Sequence, residues 1–324
     1  MDYILEAKNL KKTFSLEAGF FAKADQQVYA VNDVSFGIER GKTYGLVGES
    51  GCGKTTTARL LVRMYKANSG EILFREKKDG KIADTATNII NLSSAGLKNY
   101  REKVKYVFQD PSRSLNPRMS VFHILTNAYR YSKSWPGKTA ARQKATELLE
   151  EVGLDPSDLD RRPAEFSGGQ RQRISIARGL IMEPDVLICD EVVSALDVSV
   201  QGQILNLLHD IKEARGLSFL FIAHDLRVSC YFCDTIGVMY SGMLMEEAPA
   251  RDLYKTAVHP YTKLLFAGSQ GSGEQSKGEV KTMLQSVSGC PFAHRCPNAT
   301  EKCRAQIPEW KEIEAGHKVR CHII

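Results

Sequence analysis

The sequence predicts an α/β fold organised around a phosphate-binding loop, and three observations carry that expectation. The apolar run Thr43-Tyr44-Gly45-Leu46-Val47 reads as a buried strand; it leads into Gly48-Glu49-Ser50-Gly51-Cys52-Gly53-Lys54-Thr55, and Thr56 to Met64 then reads as a helix. A second buried-strand run, Val186-Leu187-Ile188-Cys189, ends in two adjacent acids, Asp190 and Glu191. Between these strands the pattern turns helical from Val121 to Gly153, which marks a helical subdomain at about residues 112–180 set into a strand-rich framework.

In chain order, residues 3–10 and 28–40 read as strands of an N-terminal β-subdomain, joined by an exposed loop from Gly19 to Gln27. Phe14 either packs in the core or stacks on an adenine ring. In the glycine loop, successive backbone N–H groups can converge on an anion, and the helix start adds partial positive charge. Lys54 is placed to reach the β- and γ-phosphates of ATP, and the Thr55 hydroxyl to take one position on Mg²⁺. Gly70 to Phe74 and Ile82 to Leu92 flank a hairpin turn at Lys77-Lys78-Asp79-Gly80. Val104 to Phe108 is a strand ending at Gln109, which either caps a loop or reaches into a phosphate site as a Mg²⁺ or water ligand. Lys138 to Val152 puts Ala141, Ala145, Leu148, Leu149 and Val152 on one helix face.

A second glycine-bearing helix start follows at Ser167-Gly168-Gly169-Gln170, with Ser167 as N-cap. One domain rarely needs two phosphate cradles, so the two belong to different nucleotide sites. Adjacent acids at the end of an apolar strand are costly unless their charge is used. Beside a phosphate loop, Asp190 is suited to hold Mg²⁺ through water and Glu191 to polarise an attacking water. Ser194 to Asp197 forms a turn, and Ser218 to Ala223 is another buried strand ending at His224, which can donate to a γ-phosphate.

Composition narrows the class. The chain has 324 residues, 43% hydrophobic and 25% charged, with a net charge of +6 spread along its length. No apolar run approaches the roughly 18 residues that span a bilayer, and residues 1–6 lack the basic start and apolar centre of a signal peptide. The expected location is the cytosol or the cytoplasmic face of a membrane. Eight cysteines without a secretion signal point to reduced thiols or a metal site rather than disulfides.

Together these pieces resemble the ATP-binding subunit of an ABC transporter, over about residues 3 to 250. Gly48, Glu49, Ser50, Gly51, Cys52, Gly53, Lys54, Thr55 and Thr56 look like its Walker A region, Gln109 like its Q-loop, and Ser167, Gly168, Gly169 and Gln170 like its signature. Asp190 and Glu191 resemble its Walker B and catalytic glutamate, Ser194 to Asp197 its D-loop, His224 its switch histidine, and Phe14 its adenine-stacking aromatic. The resemblance implies a head-to-tail pair of ATPases with ATP between Walker A of one and the signature of the other, and motion passed to membrane subunits near the helical subdomain. Phe108-Gln109-Asp110-Pro111, Ser114 to Arg118, Ser194 to Gln201 and His259-Pro260-Tyr261-Thr262 are similar to the oligopeptide/dipeptide importer branch. Implied partners are a second ATPase, as hetero- or homodimer, two transmembrane permeases and, indirectly, an extracytoplasmic substrate-binding protein. Nucleic acid is not expected as a partner, and the chain is expected to sit peripherally on the cytoplasmic face of the cell membrane. Val192 departs from the family, which usually has proline there; the turn is expected to be looser with both carboxylates kept. A soluble ABC protein acting on ribosomes or DNA is the alternative, although this chain has neither a second ATPase domain nor a long coiled coil.

Domain boundaries are expected at 1–267 for the ATPase, 268–289 for a Gly/Ser/Lys/Glu-rich linker and 290–324 for a Cys-rich extension. Cys290, Cys296, Cys303 and Cys321 lie in that extension, which is too small to fold without a staple. Four thiolates suit a [4Fe–4S] cluster or tetrahedral Zn²⁺, and spacing does not choose between them or free thiols. Resemblance to importer ATPases with a similar tail implies the cluster. Cys230-Tyr231-Phe232-Cys233 is expected to hold buried free thiols on a helix.

Overall fold

The computed structural model describes residues 2–15, 27–78, 81–82, 85–268 and 288–324. Most of the expected loop at 19–27, the hairpin residues Asp79 and Gly80, and most of the expected linker at 268–289 lie outside the described residues. The chain divides into two compact units, one of residues 1–92 with 220–324 and one of residues 93–219.

The first unit contains an antiparallel sheet in the order Gln27–Glu39, Tyr3–Ser15, Ser69–Phe74, Thr87–Asn88. Its N-terminal strand runs to Ser15, beyond the expected end near residue 10. Register shifts between Ala7 and Lys12, with Asn9 at φ 48°, break the two-residue alternation by which a strand is read, while pairing continues as Thr13↔Tyr29 and Phe14↔Val28. The expected strand from Ile82 to Leu92 is also corrected. Among the described residues only Lys81–Ile82 and Thr87–Asn88 pair, and the Asn88 side chain then accepts from the Ile90 N–H and turns the chain into a short 3₁₀ segment, Ile89–Asn91.

The same unit holds the strand that feeds the glycine loop. Thr43–Val47 is buried at every position, as parallel strands covered on both faces are. It pairs in parallel with Thr235–Tyr240, with Val47 opposite Val238. Thr235–Tyr240 turns back into Met243–Pro249, and that strand pairs with His317–Arg320 from the cysteine-bearing tail, Glu246 opposite Val319. The tail closes with a hairpin between Trp310–Glu314 and His317–Arg320. Backbone pairing thus welds residues 310–320 into the sheet that carries the glycine loop.

In the second unit Val104–Val107 and Val186–Asp190 run parallel, Val107 opposite Cys189. Helices Ser94–Lys103, Lys138–Glu151, Gly168–Leu180 and Val198–Arg215 accompany them. Ala141, Ala145, Leu148 and Leu149 form the buried face of Lys138–Glu151, as their spacing predicts. Gly179 lets its helix approach the Val186–Asp190 strand: a Cβ there would stand 3.0 Å from Leu187. Among the described residues, no helix is long and apolar enough to cross a membrane.

Candidate functional site

The glycine loop is a tight turn enforced by its surroundings. A Cβ on Gly48 would lie 2.1 Å from the Met239 carbonyl oxygen, and one on Gly53 2.2 Å from that of Ala30. Gly53 also adopts φ 111°, which side-chain-bearing residues rarely adopt, and it opens the helix Lys54–Leu61 with no side-chain cap. Thr55 and Thr56 sit half-buried in the first turn of that helix, at the end that carries its partial positive charge. Lys54 is 4% exposed, and its ammonium spans the loop to donate to the Gly48 carbonyl at 2.7 Å and the Glu49 carbonyl at 3.0 Å. Cys52 is fully buried and burial raises its thiol pKa, so it packs rather than reacts.

Two residues that hold this loop were not singled out as site residues from the sequence. The Glu49 N–H donates to the Tyr261 hydroxyl at 3.0 Å, and the Glu49 carboxylate receives both Arg295 guanidinium nitrogens at 2.7 and 2.9 Å. They lie 212 and 246 residues from Glu49 along the chain, so no local pattern signals either contact. Tyr261 belongs to the His259-Pro260-Tyr261-Thr262 stretch, and its buried phenol is held neutral, chiefly by desolvation.

In the same unit, His224 is exposed at the end of the strand Ser218–Ala223, immediately before Asp225 caps the helix Leu226–Phe232 by accepting from the Arg227 and Val228 N–H groups. Phe14 is half-buried on the N-terminal strand, edge-on to Tyr65 at 5.4 Å, with the Lys12 ammonium 4.9 Å from its ring centre.

In the second unit, the Val186–Asp190 strand delivers Asp190 and Glu191 to its C-terminal end. Tyr106, on the parallel neighbour, donates its hydroxyl to Asp190. The Gln109 amide donates to Glu191 at 2.7 Å, so two residues assigned to the site by sequence are brought together. Glu191 itself has φ 49°, a left-handed conformation that costs a side-chain-bearing residue on the order of 1–3 kcal/mol. The expectation of a looser turn at Val192 is corrected: Val192 is 1% exposed, and the Ser194 N–H and hydroxyl both donate to the Glu191 carbonyl, at 3.1 and 2.9 Å. Apolar packing and two hydrogen bonds fix the turn without a proline. Within this unit Asp190 and Gln109 offer carboxylate and amide oxygens, and in the other unit Thr55 offers a hydroxyl; each is a hard donor of the kind Mg²⁺ takes.

The signature stretch opens the helix Gly168–Leu180 with a reciprocal cap. The Ser167 Oγ accepts from the Gln170 N–H at 3.3 Å, and the Gln170 Oε1 accepts from the Ser167 N–H at 2.9 Å. Ser167 is exposed, and Gly168 and Gly169 are partly so.

None of the eight cysteines is in a disulfide. A preformed metal centre in the tail is not found: among the described residues, no group of three or more His, Cys, Asp or Glu is able to hold a metal ion. The tail cysteines nonetheless lie within electrostatic reach of one another. Burial, with smaller contributions from Cys303, Cys321 and Cys296, pushes the Cys290 thiol up to about 11, and burial with Cys321 and Cys303 raises Cys296. Protonated thiols have no charge to draw them to ligand spacing. The expectation of two buried thiols on a helix is corrected: Cys230 is only partly buried and Cys233 lies just past the helix Leu226–Phe232, while burial and Asp225 raise the Cys230 thiol to about 11.

Comparison with known proteins agrees with these motifs. The ABC transporter family profile matches residues 31–194, and the profile of the oligopeptide/dipeptide transporter C-terminal region matches residues 245–303. The chain is 42% identical to the oligopeptide transport ATP-binding protein AppF of Bacillus subtilis, covering 99% of this chain and 97% of that protein. It is likewise 42% identical to OppF of the same organism, over 98% and 96% of the two chains. Among solved structures, the dimeric post-hydrolysis state of the ATP-binding cassette MJ0796 bound to ADP and Pi superposes with a TM-score of 0.63 at 25% identity, covering 76% of this chain and 99% of that one. The chain therefore belongs to the ABC transporter family, in the branch of the oligopeptide transport ATP-binding proteins.

Proposed function

We infer that this chain is the ATP-hydrolysing subunit of an importer for peptides or a related small solute, working peripherally on the cytoplasmic face of the membrane with permease partners and a second ATPase. The observation that carries this reading is the conjunction, in one chain, of the Lys54 loop, the Gln109–Glu191 pair and a capped helix start with Ser167 exposed, in a protein 42% identical along its length to oligopeptide transport ATP-binding proteins.

On this reading Lys54 moves its donors from the loop carbonyls to the β- and γ-phosphates, and the loop and first-turn amides hold the β-phosphate. The oxygens of Thr55, Asp190 and Gln109 would hold Mg²⁺, which would supply neutralisation of the charge developing on the phosphates. Glu191, oriented by the Gln109 amide, accepts a proton from the attacking water, and His224 donates to the γ-phosphate. Phe14, flanked by Lys12, stacks on adenine. Ser167, Gly168, Gly169 and Gln170 contact the nucleotide held by the second ATPase, which accounts for two phosphate cradles in one chain.

Purification of the tagged chain from gently solubilised membranes tests the assignment. Two multi-span permeases and a second ATPase are expected to accompany it; ribosomal or DNA-bound partners without any membrane protein would overturn it. For the tail, Cys290, Cys296, Cys303 and Cys321 are assigned to a [4Fe–4S] cluster, supported by four thiols without disulfides in a small unit, three of which act electrostatically on Cys290. Protein purified without oxygen is expected to carry iron and sulfide with visible absorbance that oxygen bleaches. Colourless, iron-free protein rules the cluster out.

A further inference from the structure

The tail reaches the phosphate loop through one side chain. Arg295 lies between Cys290 and Cys296 in sequence, and its side chain is only 5% exposed. It meets Glu49 in a two-pronged charge pair at 2.7 and 2.9 Å, the strongest class of side-chain hydrogen bond. Its guanidinium also lies 5.7 Å from the ring centre of Tyr240 and 5.9 Å from that of Phe292. Tyr240, Tyr261 and Phe292 pack edge-on or tilted against one another, with ring centres 4.7 to 5.3 Å apart. These rings fix the Arg295 head from below, and Tyr240 ends the strand that runs parallel to the loop's own strand.

Glu49 is consequently held at three points: its N–H by Tyr261, its carbonyl by Lys54 and its carboxylate by Arg295. It follows Gly48 directly, at the entry to the cradle. A carboxylate there repels the phosphates of an approaching nucleotide unless a cation compensates it, and Arg295 is that cation. We propose that Arg295 is a positioning residue for nucleotide binding: it fixes the Glu49 backbone and cancels the Glu49 charge, so the Cys-rich tail forms one wall of the phosphate cradle. The proposal rests on the reading of residues 48–55 as the ATP cradle. It gives the tail a role in the ATPase cycle that does not depend on what the cysteines hold.

The test is a calorimetric titration of the full chain with Mg²⁺-ADP, together with steady-state ATP hydrolysis, for wild type, Arg295→Met, Arg295→Lys, Glu49→Gln and the double variant Glu49→Gln/Arg295→Met. Arg295→Met is expected to weaken Mg²⁺-ADP binding about tenfold and to raise the KM for ATP similarly, with kcat at saturating ATP kept within about twofold. Arg295→Lys, which keeps the charge and loses the fork, should lie between that variant and wild type. The double variant should bind within about threefold of wild type, since removing the Glu49 charge removes the repulsion; a purely structural Arg295 would give a double variant no better than Arg295→Met. Wild-type affinity in Arg295→Met overturns the proposal, and so does a double variant without recovery. If Arg295→Met does not fold, Arg295→Lys decides: affinity equal to wild type, unchanged when salt is raised, overturns it. Lys54→Ala in the same titration separates the two levels. If it binds normally, the cradle assignment itself falls; if it loses binding while Arg295→Met does not, only the role of Arg295 falls.

Discussion

The helices that follow Gly53 and Ser167 both carry glycines at their starts, and they begin in opposite ways. Lys54–Leu61 has no side-chain cap, a left-handed Gly53 at its start, and a loop so hemmed by the carbonyls of Met239 and Ala30 that a Cβ at either Gly48 or Gly53 would collide with backbone. Gly168–Leu180 has a reciprocal Ser167/Gln170 cap, and a Cβ at Gly168 would find its nearest neighbour, Leu196, at 3.9 Å. The first start is unfinished as a helix and finished as a cradle. The second is finished as a helix and exposed, with two glycines leaving its first-turn amides approachable. The difference teaches that a bare glycine count does not identify a phosphate site. What distinguishes the two is whether a side chain caps the start, and whether backbone carbonyls hem its glycines in.

The comparison can be broken at its first term most severely. Lys54→Ala removes the ammonium that spans the cradle, and ATP affinity measured by titration should fall about a thousandfold. Glu191→Gln leaves binding intact and removes the proton acceptor; turnover should fall about a hundredfold, with ATP-bound dimers accumulating in size-exclusion profiles. Undiminished turnover would remove Glu191 from its role. At the second term the expected effect is smaller. Ser167→Arg places bulk on the exposed start, so nucleotide affinity of the isolated chain should be unchanged while its turnover drops on the order of tenfold. Equal losses in affinity and turnover would mean that the signature start serves its own chain's nucleotide.

The mildest prediction concerns pH and sharpens the contrast between the two units. Burial lowers His259 from 6.5 to about 4, and its Nδ1 accepts the N–H of Tyr261, the residue that holds Glu49. The unfolded chain takes up a proton near pH 6.5 and the folded one does not until about pH 4. Stability should therefore fall as pH drops from about 6.5 to about 4 and be unaffected by this group above that window. Denaturation midpoints should follow this course in wild type and flatten in His259→Asn. Hydrogen exchange should localise the loss to the unit with the phosphate loop; a loss spread equally over residues 93–219 would assign it to other groups.

Much of this site is legible in the sequence because its signals are local. The glycines, Lys54 and Thr55 fall within one turn, the acids sit directly after a buried strand, and the Ser167 cap is written in four consecutive residues. What escaped is what closes over distance. Arg295 and Tyr261 reach Glu49 from the far end of the chain, and the Tyr106 hydroxyl meets Asp190 only through strand register. The N-terminal strand was underestimated for another reason: its irregular register around Asn9 hides the alternation while the backbone pairing carries on. The fixed turn after Glu191 was also not legible, since Val192 is held by packing that a proline rule does not describe.

The strand His317–Arg320 has a consequence for solubility. Without it, Met243–Pro249 would present a free edge of backbone donors and acceptors, the kind of surface on which a second chain adds and precipitation begins. The tail moves that edge outward to Trp310–Glu314, where Lys311, Glu312 and Glu314 are exposed and charge the rim against further addition. A chain shortened before residue 288 is accordingly expected to aggregate even where its nucleotide loop is intact, so the last 37 residues guard the sheet as well as touching the cradle.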